Sequence, residues 1–502
     1  MRVLLIQPRL SGKVRSLGRL EPLPLEILAA ALPEHEVRIL DYRFEKDPAG
    51  EVAAWRPEVV GVTALTVEYA DALDAIREIK ALVPDARIVV GGTHATLVPQ
   101  DFNIPEVSAV VIGLGHDAFR ELLETYAGNG DASNVAGLAF PDGNGMRFNA
   151  EREAEKSFDS IPNPDRSLTA RYRRSYRATF SLDPEGDGVS ITSLGCPGRC
   201  SFCSSWKQNK GRYLERDAGA VVEDILSIPS RRVMLADDNS LHNIERAREI
   251  VRLLGRSDIR KHIRTYVRAD TIVANPDLMK ALREVGFRAL IVGYEAVTDK
   301  RLEDYRKGNT VETNRAAIRV LREAGIENRA MFVVAQDFEK EDFEELFEFV
   351  DSEGLRTPLF TVLTPVPGTG FYRKVEKDLL TRNYLYFEYA HSVLPTRMDY
   401  MEFYEEYARL FKRSYSFSRY FRDWWREQLE FLRTGRRPAT ERRYISFVEA
   451  IFLQWIFRRF VKPLREDYRH IAQDAGRPVS SAAASPSTDT AAREGGSLCA
   501  SC

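Results

Sequence analysis

Five short runs in the first 112 residues, at 3–6, 37–40, 59–63, 87–90 and 109–112, are almost wholly apolar and do not alternate. A strand with one wet face alternates. Strands like these are covered on both faces, as in a parallel sheet joined by crossover helices. Stretches of helical period, 25–32 and 69–82 among them, lie between the runs. Residues 1–140 therefore predict an α/β, Rossmann-like domain, whose ligands belong beyond the carboxyl ends of its strands. The segments there are Gln7-Pro8-Arg9, Thr63-Ala64-Leu65-Thr66, Gly91-Gly92-Thr93-His94 and Gly113-Leu114-Gly115. Small residues at two of these ends allow a flat ligand to approach the backbone.

Residues 141–185 carry Pro-Asp-Gly, Ile-Pro-Asn-Pro-Asp and Asp-Pro-Glu-Gly and read as a linker. A second alternating series fills 186–383, with strand candidates at 188–193, 232–236, 263–268, 289–294, 329–335 and 359–363. Six such strands predict a partial (β/α)6 barrel with its chemistry at the C-terminal strand ends. The region 384–475 reads as helical. Of the 60 residues from 411 to 470, 15 are aromatic, and basic residues exceed acidic ones by eight. The last stretch, 476–502, is rich in Ala, Ser, Thr, Gly and Pro and predicts a disordered tail.

Whole-chain properties exclude several classes. A length of 502 residues suits about three domains. A net charge of −2 gives no electrostatic footprint for nucleic acid. Neither an 18-residue apolar stretch nor a secretory signal core is present, so the expected location is cytoplasmic.

The cysteines narrow the chemistry. None occurs before Cys196; then Cys196, Cys200 and Cys203 follow within eight residues, directly after the first barrel strand. Clustered cysteines in a long chain read as metal-binding or catalytic, whereas a disulfide framework spreads them through a small secreted one. Three thiolates on one short loop hold three irons of a 4Fe-4S cluster; without a fourth cysteine nearby, the last iron stays open to an exchangeable ligand. The alternative is three buried or zinc-binding cysteines, but no His or Cys completes a zinc set. Cys499 and Cys502 have dithiol spacing without the βα context that tunes such pairs.

Leu194-Gly-Cys196-x3-Cys200-x-Phe202-Cys203 resembles the radical S-adenosylmethionine (SAM) enzymes, the aromatic Phe202 before the last cysteine included. In that family the open iron chelates the amino and carboxylate groups of SAM, and electron transfer cleaves SAM to a 5′-deoxyadenosyl radical. The resemblance implies that Asp237, ending the second barrel strand, lies near the SAM amino group. Arg268, ending the third, would meet the SAM carboxylate. Glu295 ends the fourth, and Thr364-Pro-Val-Pro-Gly368-Thr369 follows the sixth.

A parallel domain ahead of such a barrel resembles the cobalamin-binding subfamily, and Val89-Val-Gly91-Gly92-Thr93-His94-Ala95-Thr96 is similar to its cobalamin loop. That implies contacts to cobalamin from Thr66, Gly92, Thr93 and His94. The D-x-H-x-x-G motif is absent, which implies cobalt without a protein imidazole beneath it. Gly113-Leu-Gly115-His116 departs from the acidic residues that relatives carry there. Methylcobalamin can deliver a methyl to a carbon radical, so cluster, SAM and cobalamin together imply radical C-methylation by a methyltransferase.

A finer resemblance, to members that methylate hopanoids, rests on Arg19-Leu-Glu-Pro-Leu-Pro-Leu-Glu26 and His391-Ser-Val-Leu-Pro-Thr-Arg397. It implies an apolar lipid substrate attacked at C-3, peripheral contact with a membrane, and an electron donor of the flavodoxin or ferredoxin kind. Anaerobic magnesium-porphyrin cyclisation, methylation of natural products such as antibiotic precursors, and a cobalamin- or redox-sensing module without turnover remain as alternatives. A tRNA-modifying relative would show extra N-terminal cysteines and a basic C-terminal barrel, so no nucleic-acid partner is expected.

Overall fold

The computed structural model describes residues 1–11, 18–128, 130–153, 155, 157–158, 160–178, 185–205, 211–434 and 462–475. The first strands, in chain order, are β1 (Arg2–Gln7), β2 (Gly18–Arg19), β3 (Glu36–Asp41), β4 (Val59–Thr63), β5 (Arg87–Gly91), β6 (Val107–Val111), β7 (Leu138–Pro141), β8 (Met146–Phe148) and β9 (Arg177–Ala178). After them come β10 (Asp187–Ser190), β11 (Ser193–Leu194), β12 (Leu214–Glu215), β13 (Arg232–Leu235), β14 (His262–Val267), β15 (Phe287–Glu295), β16 (Glu327–Val334) and β17 (Leu359–Val362).

One sheet has the order β3-β1-β4-β5-β6-β7-β8. Its first five strands are parallel, and β7 and β8 add on antiparallel. Leu4, Ile6, Val60, Val62, Ile88 and Val90 pack on one face with the helix Tyr69–Leu82. Val3, Leu5, Val59, Val89 and Ala109 pack on the other with the helices Leu23–Ala30 and Gly115–Gly128. Burial on both faces explains the unalternating sequence. The strand order reverses between β1 and β4, which puts the ligand crevice beyond their carboxyl ends.

The stretch expected to be pure linker supplies β8, the end of β7, the 3-10 helix Arg166–Ser175 and β9, which pairs antiparallel with β2. The Pro141-Asp-Gly143 that helped mark it as connector ends β7 and enters the tip of the β7–β8 hairpin. Strands of three and four residues are too short to show a periodicity.

The second sheet, β10-β13-β14-β15-β16-β17, is parallel throughout and in chain order, giving an open half-barrel. Val233, Leu235, Ile263, Val267, Leu290, Val292, Phe332 and Phe360 face the outer helices. Strand alternation then turns Arg264, Tyr266 and Arg268 towards the concave side.

Two polar joints tie the first domain to the barrel. Glu21 accepts the Val189 N–H at 2.6 Å, across 168 residues, while Arg166 bridges Glu21 (3.3 Å) and Asp224 (2.6 Å). Beside it the buried Glu26 accepts a hydrogen bond from the Thr169 hydroxyl, and burial raises the pKa of both glutamates. Further out, Gly368 (φ +81°) lies against Leu97; a Cβ there would stand 2.9 Å from the Leu97 carbonyl oxygen.

After the barrel, the helix Tyr400–Ser414 closes over β17. Phe403 meets Phe343 edge-on at 5.6 Å, Phe411 meets Phe360 at 5.1 Å, and the Tyr407 hydroxyl donates to the Phe360 carbonyl at 3.0 Å. Many of the C-terminal aromatics are therefore packing for the barrel edge. The helix Lys462–Asp474 completes this cap: the Tyr468 hydroxyl accepts from the Ser392 N–H and donates to the Ala390 carbonyl. Among the described residues no helix is long and apolar enough to cross a membrane. The expected tail at 476–502, Cys499 and Cys502 with it, lies outside the described residues, as do 435–461 of the aromatic region.

His391 locks the cap. It is fully buried between Glu388, bonded to Nδ1, and Asp467, 3.5 Å from Nε2. Burial alone would lower its pKa, but the two carboxylates outweigh it and hold it at about 9. The folded value lies above the ordinary one. The stabilisation is therefore complete below pH 6.5 and is lost as pH rises through about 9, amounting at most to about 3 kcal/mol. The wild-type melting temperature should fall between pH 7 and pH 9.5 more steeply than that of His391→Gln, measured in parallel by calorimetry; equal slopes would refute the charged triad.

Candidate active site

The cysteine loop leaves the barrel after β11, and its backbone exit is held by one carboxylate. Asp237, buried at the end of β13, accepts the Thr192 N–H at 2.7 Å, the Ser193 hydroxyl at 3.0 Å and the Thr192 hydroxyl. Burial raises its pKa, and those hydrogen bonds pull it back. Asp237 thus orients the loop, and it is its exposed neighbour Asp238 that acts electrostatically on Cys196.

On the loop, Cys196, Cys200 and Cys203 are all free thiols, and Cys203 lies close enough to act on each of the other two. Burial raises Cys196 and Cys200. The Ser201 N–H donates to the Tyr305 carbonyl at 3.0 Å, and Phe202 meets Tyr305 edge-on at 5.5 Å. Phe202 therefore pins the loop to the segment after β15 and spends its ring on that apolar contact.

Cationic groups surround the thiols. Arg268 forks onto Asp270 (2.7 Å) and donates to the Lys307 carbonyl (2.9 Å), with Cys196 and Cys200 in its field. Burial would lower the Lys307 pKa; its ion pair with Glu295 (2.7 Å) and the nearby Cys200 keep it high instead. Glu295 takes φ +65°, a strained value for a non-glycine residue. Room at this spot depends on two glycines. A Cβ on Gly198 would reach 3.3 Å from both Cys196 Sγ and Arg268 Nη1, and one on Gly293 would stand 2.9 Å from Lys307 Nζ. A three-thiolate donor set with adjacent cations fits an anionic iron–sulfur cluster that carries a carboxylate-bearing ligand.

Lys307 and Tyr389 were not singled out from sequence. Lys307 lies in a loop rather than at a strand end, and its only local signal is the following Gly308, at φ +78°. Tyr389 takes φ +70°, and its carbonyl accepts the Val362 N–H at 2.7 Å on the open edge of the barrel. Its ring is half exposed, within the electrostatic reach of Cys203 and Tyr266.

At the other domain, β4 and β5 bring Thr66, Gly92, Thr93 and His94 together. Gly92 has φ +95°, and a Cβ there would stand 2.7 Å from Thr63 Oγ1 and 2.9 Å from the Ala64 backbone nitrogen, so only glycine closes this turn. His94 is wholly buried, with Nδ1 3.2 Å from Thr66 Oγ1 and Nε2 3.1 Å from Asp101 Oδ2. Tyr384, from beyond the barrel, covers it edge-on at 4.9 Å. Both ring nitrogens are engaged, so His94 shapes the loop and offers no free nitrogen to cobalt. Gly113, at φ +85°, has nothing within 4 Å of its Cβ position. The tight Gly92 turn and the unobstructed Gly113, beyond the carboxyl ends of β5 and β6, fit the close approach of a flat corrinoid ring.

Comparisons with known proteins agree with this geometry. The B12 binding domain model matches residues 13–123 and the Radical SAM superfamily model residues 190–350, together more than half of the chain. The chain belongs to the cobalamin-binding radical SAM methylases. Hopanoid C-3 methylase of Methylococcus capsulatus is 29% identical over 418 residues, covering 82% of this chain and 79% of that one. Anaerobic magnesium-protoporphyrin IX monomethyl ester cyclase of Cereibacter sphaeroides is 27% identical over 418 residues, covering 78% and 67%. Two solved structures share the fold. The radical SAM methyltransferase TsrM of Kitasatospora setae, with cobalamin and a 4Fe-4S cluster bound, has a TM-score of 0.62 at 22% identity and covers 75% of this chain and 78% of its own. OxsB with aqua-cobalamin and SAM has a TM-score of 0.67 at 16% identity, covering 95% and 78%. The B12-binding and Radical SAM models, with the three-thiolate loop, give the methylase cobalamin, a 4Fe-4S cluster and SAM as its cofactors.

Two outcomes test the site. Cys200→Ala should lose the cluster iron and all SAM cleavage; full 5′-deoxyadenosine production by that variant would refute the assignment. Electron paramagnetic resonance of the cob(II)alamin-loaded methylase should show no nitrogen hyperfine coupling from the protein, in wild type and His94→Ala alike. A nitrogen signal that vanishes in His94→Ala would show that the imidazole binds cobalt.

Proposed function

We propose that the methylase transfers a methyl group to an unactivated sp3 carbon of an apolar polycyclic lipid, C-3 of a hopanoid. The 418-residue likeness to hopanoid C-3 methylase carries this reading. The two short segments that resemble hopanoid-methylating members add little to it, because their residues have structural partners. Glu21 and Glu26 join the domains, and His391 locks the C-terminal cap.

Bound together, the cluster, SAM and cobalamin supply a carbon-centred radical and a transferable methyl group. In this proposal Cys196, Cys200 and Cys203 hold three irons, and Arg268 and Lys307 offset negative charge beside them. Arg268 faces the SAM carboxylate, and Glu295, steadied by Lys307, accepts from the ligand's donors. Thr66, Gly92 and Thr93 line the corrinoid crevice. Tyr266 and Tyr389 present ring faces on the concave side, where they hold a flat apolar substrate with its carbon in reach of both cofactors.

A surface feature supports the lipid substrate. Along the helix Phe417–Thr434 the side chains Phe417, Phe421, Trp425, Leu429 and Leu432 are 44%, 52%, 51%, 39% and 77% exposed. Their spacing puts them on one stripe, beside the exposed Arg422, Arg426 and Arg433. Aromatic and leucine side chains backed by arginines suit the interface of an anionic membrane, from which a hopanoid would be drawn. The equally long likeness to the magnesium-porphyrin cyclase favours a second reading, closure of a ring on a porphyrin side chain.

Product analysis separates the two. Expressed in a hopanoid-producing host that lacks C-3 methylation, the methylase should yield hopanoids heavier by one CH2 unit, and Cys203→Ala should not. An unchanged lipid profile with SAM cleavage intact would overturn the hopanoid reading, and conversion of an added magnesium-porphyrin ester would establish the second. Binding to vesicles of anionic phospholipid should weaken about tenfold or more in Phe421→Ser, given the roughly 1.5–3 kcal/mol of burying a Phe side chain; unchanged co-sedimentation would remove the membrane contact.

A further inference from the structure

Among the described residues, a cluster of ligating side chains lies outside this site. His116 and Asp117 open the helix Gly115–Gly128, and Glu155 comes from the segment running towards the barrel. The His116 ring is buried, and its Nε2 has no hydrogen-bond partner. That nitrogen is aimed between two carboxylates, 3.6 Å from Asp117 Oδ2 and 3.9 Å from Glu155 Oε1, and all three donor atoms lie within 4.8 Å of one another.

These separations are too long for hydrogen bonds. They are close to the edge of a tetrahedral metal polyhedron, about 3.4 Å for donors about 2.1 Å from the ion. The outer atoms are arranged accordingly. Asp117 Oδ1 accepts from Arg120 Nη2 at 2.9 Å, and Glu155 Oε2 accepts from the Ser160 hydroxyl at 3.2 Å. Each carboxylate is thus oriented through one oxygen while the other faces His116, as the outer hydrogen bonds of metal ligands do. An unpartnered buried imidazole nitrogen between two oriented carboxylate oxygens is the donor set of a borderline divalent ion.

We propose that His116, Asp117 and Glu155 bind one divalent transition-metal ion of the zinc class, with water completing its shell. The ion joins the helix that follows the Gly113–Gly115 turn to the segment leading into the barrel. It is separate from the cluster and from cobalamin, and the proposal holds whatever the substrate.

The test uses the full-length methylase, loaded anaerobically with cluster and cobalamin so that Cys196, Cys200 and Cys203 are occupied. After equilibration with Zn2+ and removal of the free ion, zinc, iron and cobalt are counted per chain by mass spectrometry. The wild type should hold one zinc more than either His116→Ala or Glu155→Gln, with iron and cobalt unchanged. Glu155→Gln keeps the shape of the side chain and so decides the question if His116→Ala fails to fold. Equal zinc in the wild type and Glu155→Gln would overturn the site.

Discussion

A cubane cluster tolerates little movement among its three thiolates, so the backbone behind the loop must be rigid before any iron arrives. Asp237 provides that rigidity. Its carboxylate gathers Thr192 and Ser193, which lie between the first barrel strand and the cysteine loop, and it does so from the neighbouring strand. The cost of burying a carboxylate is met by several convergent donors, the only terms on which such a group is tolerated inside a protein. Phe202 holds the far side of the loop through Tyr305. Everything else at the barrel mouth, from the Arg268 fork to the Lys307–Glu295 pair, is set against a loop fixed in this way.

The parallel strands of the first sheet could be read from sequence because they are apolar and buried on two faces, and the shorter barrel strands because stretches of helical period separate them at regular intervals. The edge hairpin β7–β8 could not, since its few residues are dominated by turn chemistry. Within the site, strand ends were legible because barrel geometry says where to look, and the cysteines because their spacing is itself the chemistry. Asp237, expected beside the SAM amino group, instead faces inward. Strand position alone does not tell a ligand-facing carboxylate from a loop anchor. Lys307 and Tyr389 escaped because loops returning to a site carry no periodicity.

The contacts between the two domains follow a common logic. Leu97 and His94, from the corrinoid side, meet Gly368 and Tyr384, which come from segments that follow the last barrel strand. In the proposed arrangement, the loop that lines one cofactor is thereby buttressed by segments that follow the barrel holding the other. Radical chemistry needs the two reactive centres at a fixed separation, and a shared wall of side chains supplies it more reliably than a linker.

The Glu21–Val189 joint bears on how the chain is made. Synthesis proceeds from the N-terminus at about 5–20 residues per second, so some ten seconds separate the emergence of these two residues. During that interval Glu21 lacks its Val189 partner, and until Arg166 and Thr169 follow, so do the groups that satisfy Glu26. The nascent first domain therefore displays a hydrated, acidic, unfinished edge. The joint closes only when the barrel's first strand arrives to supply Val189.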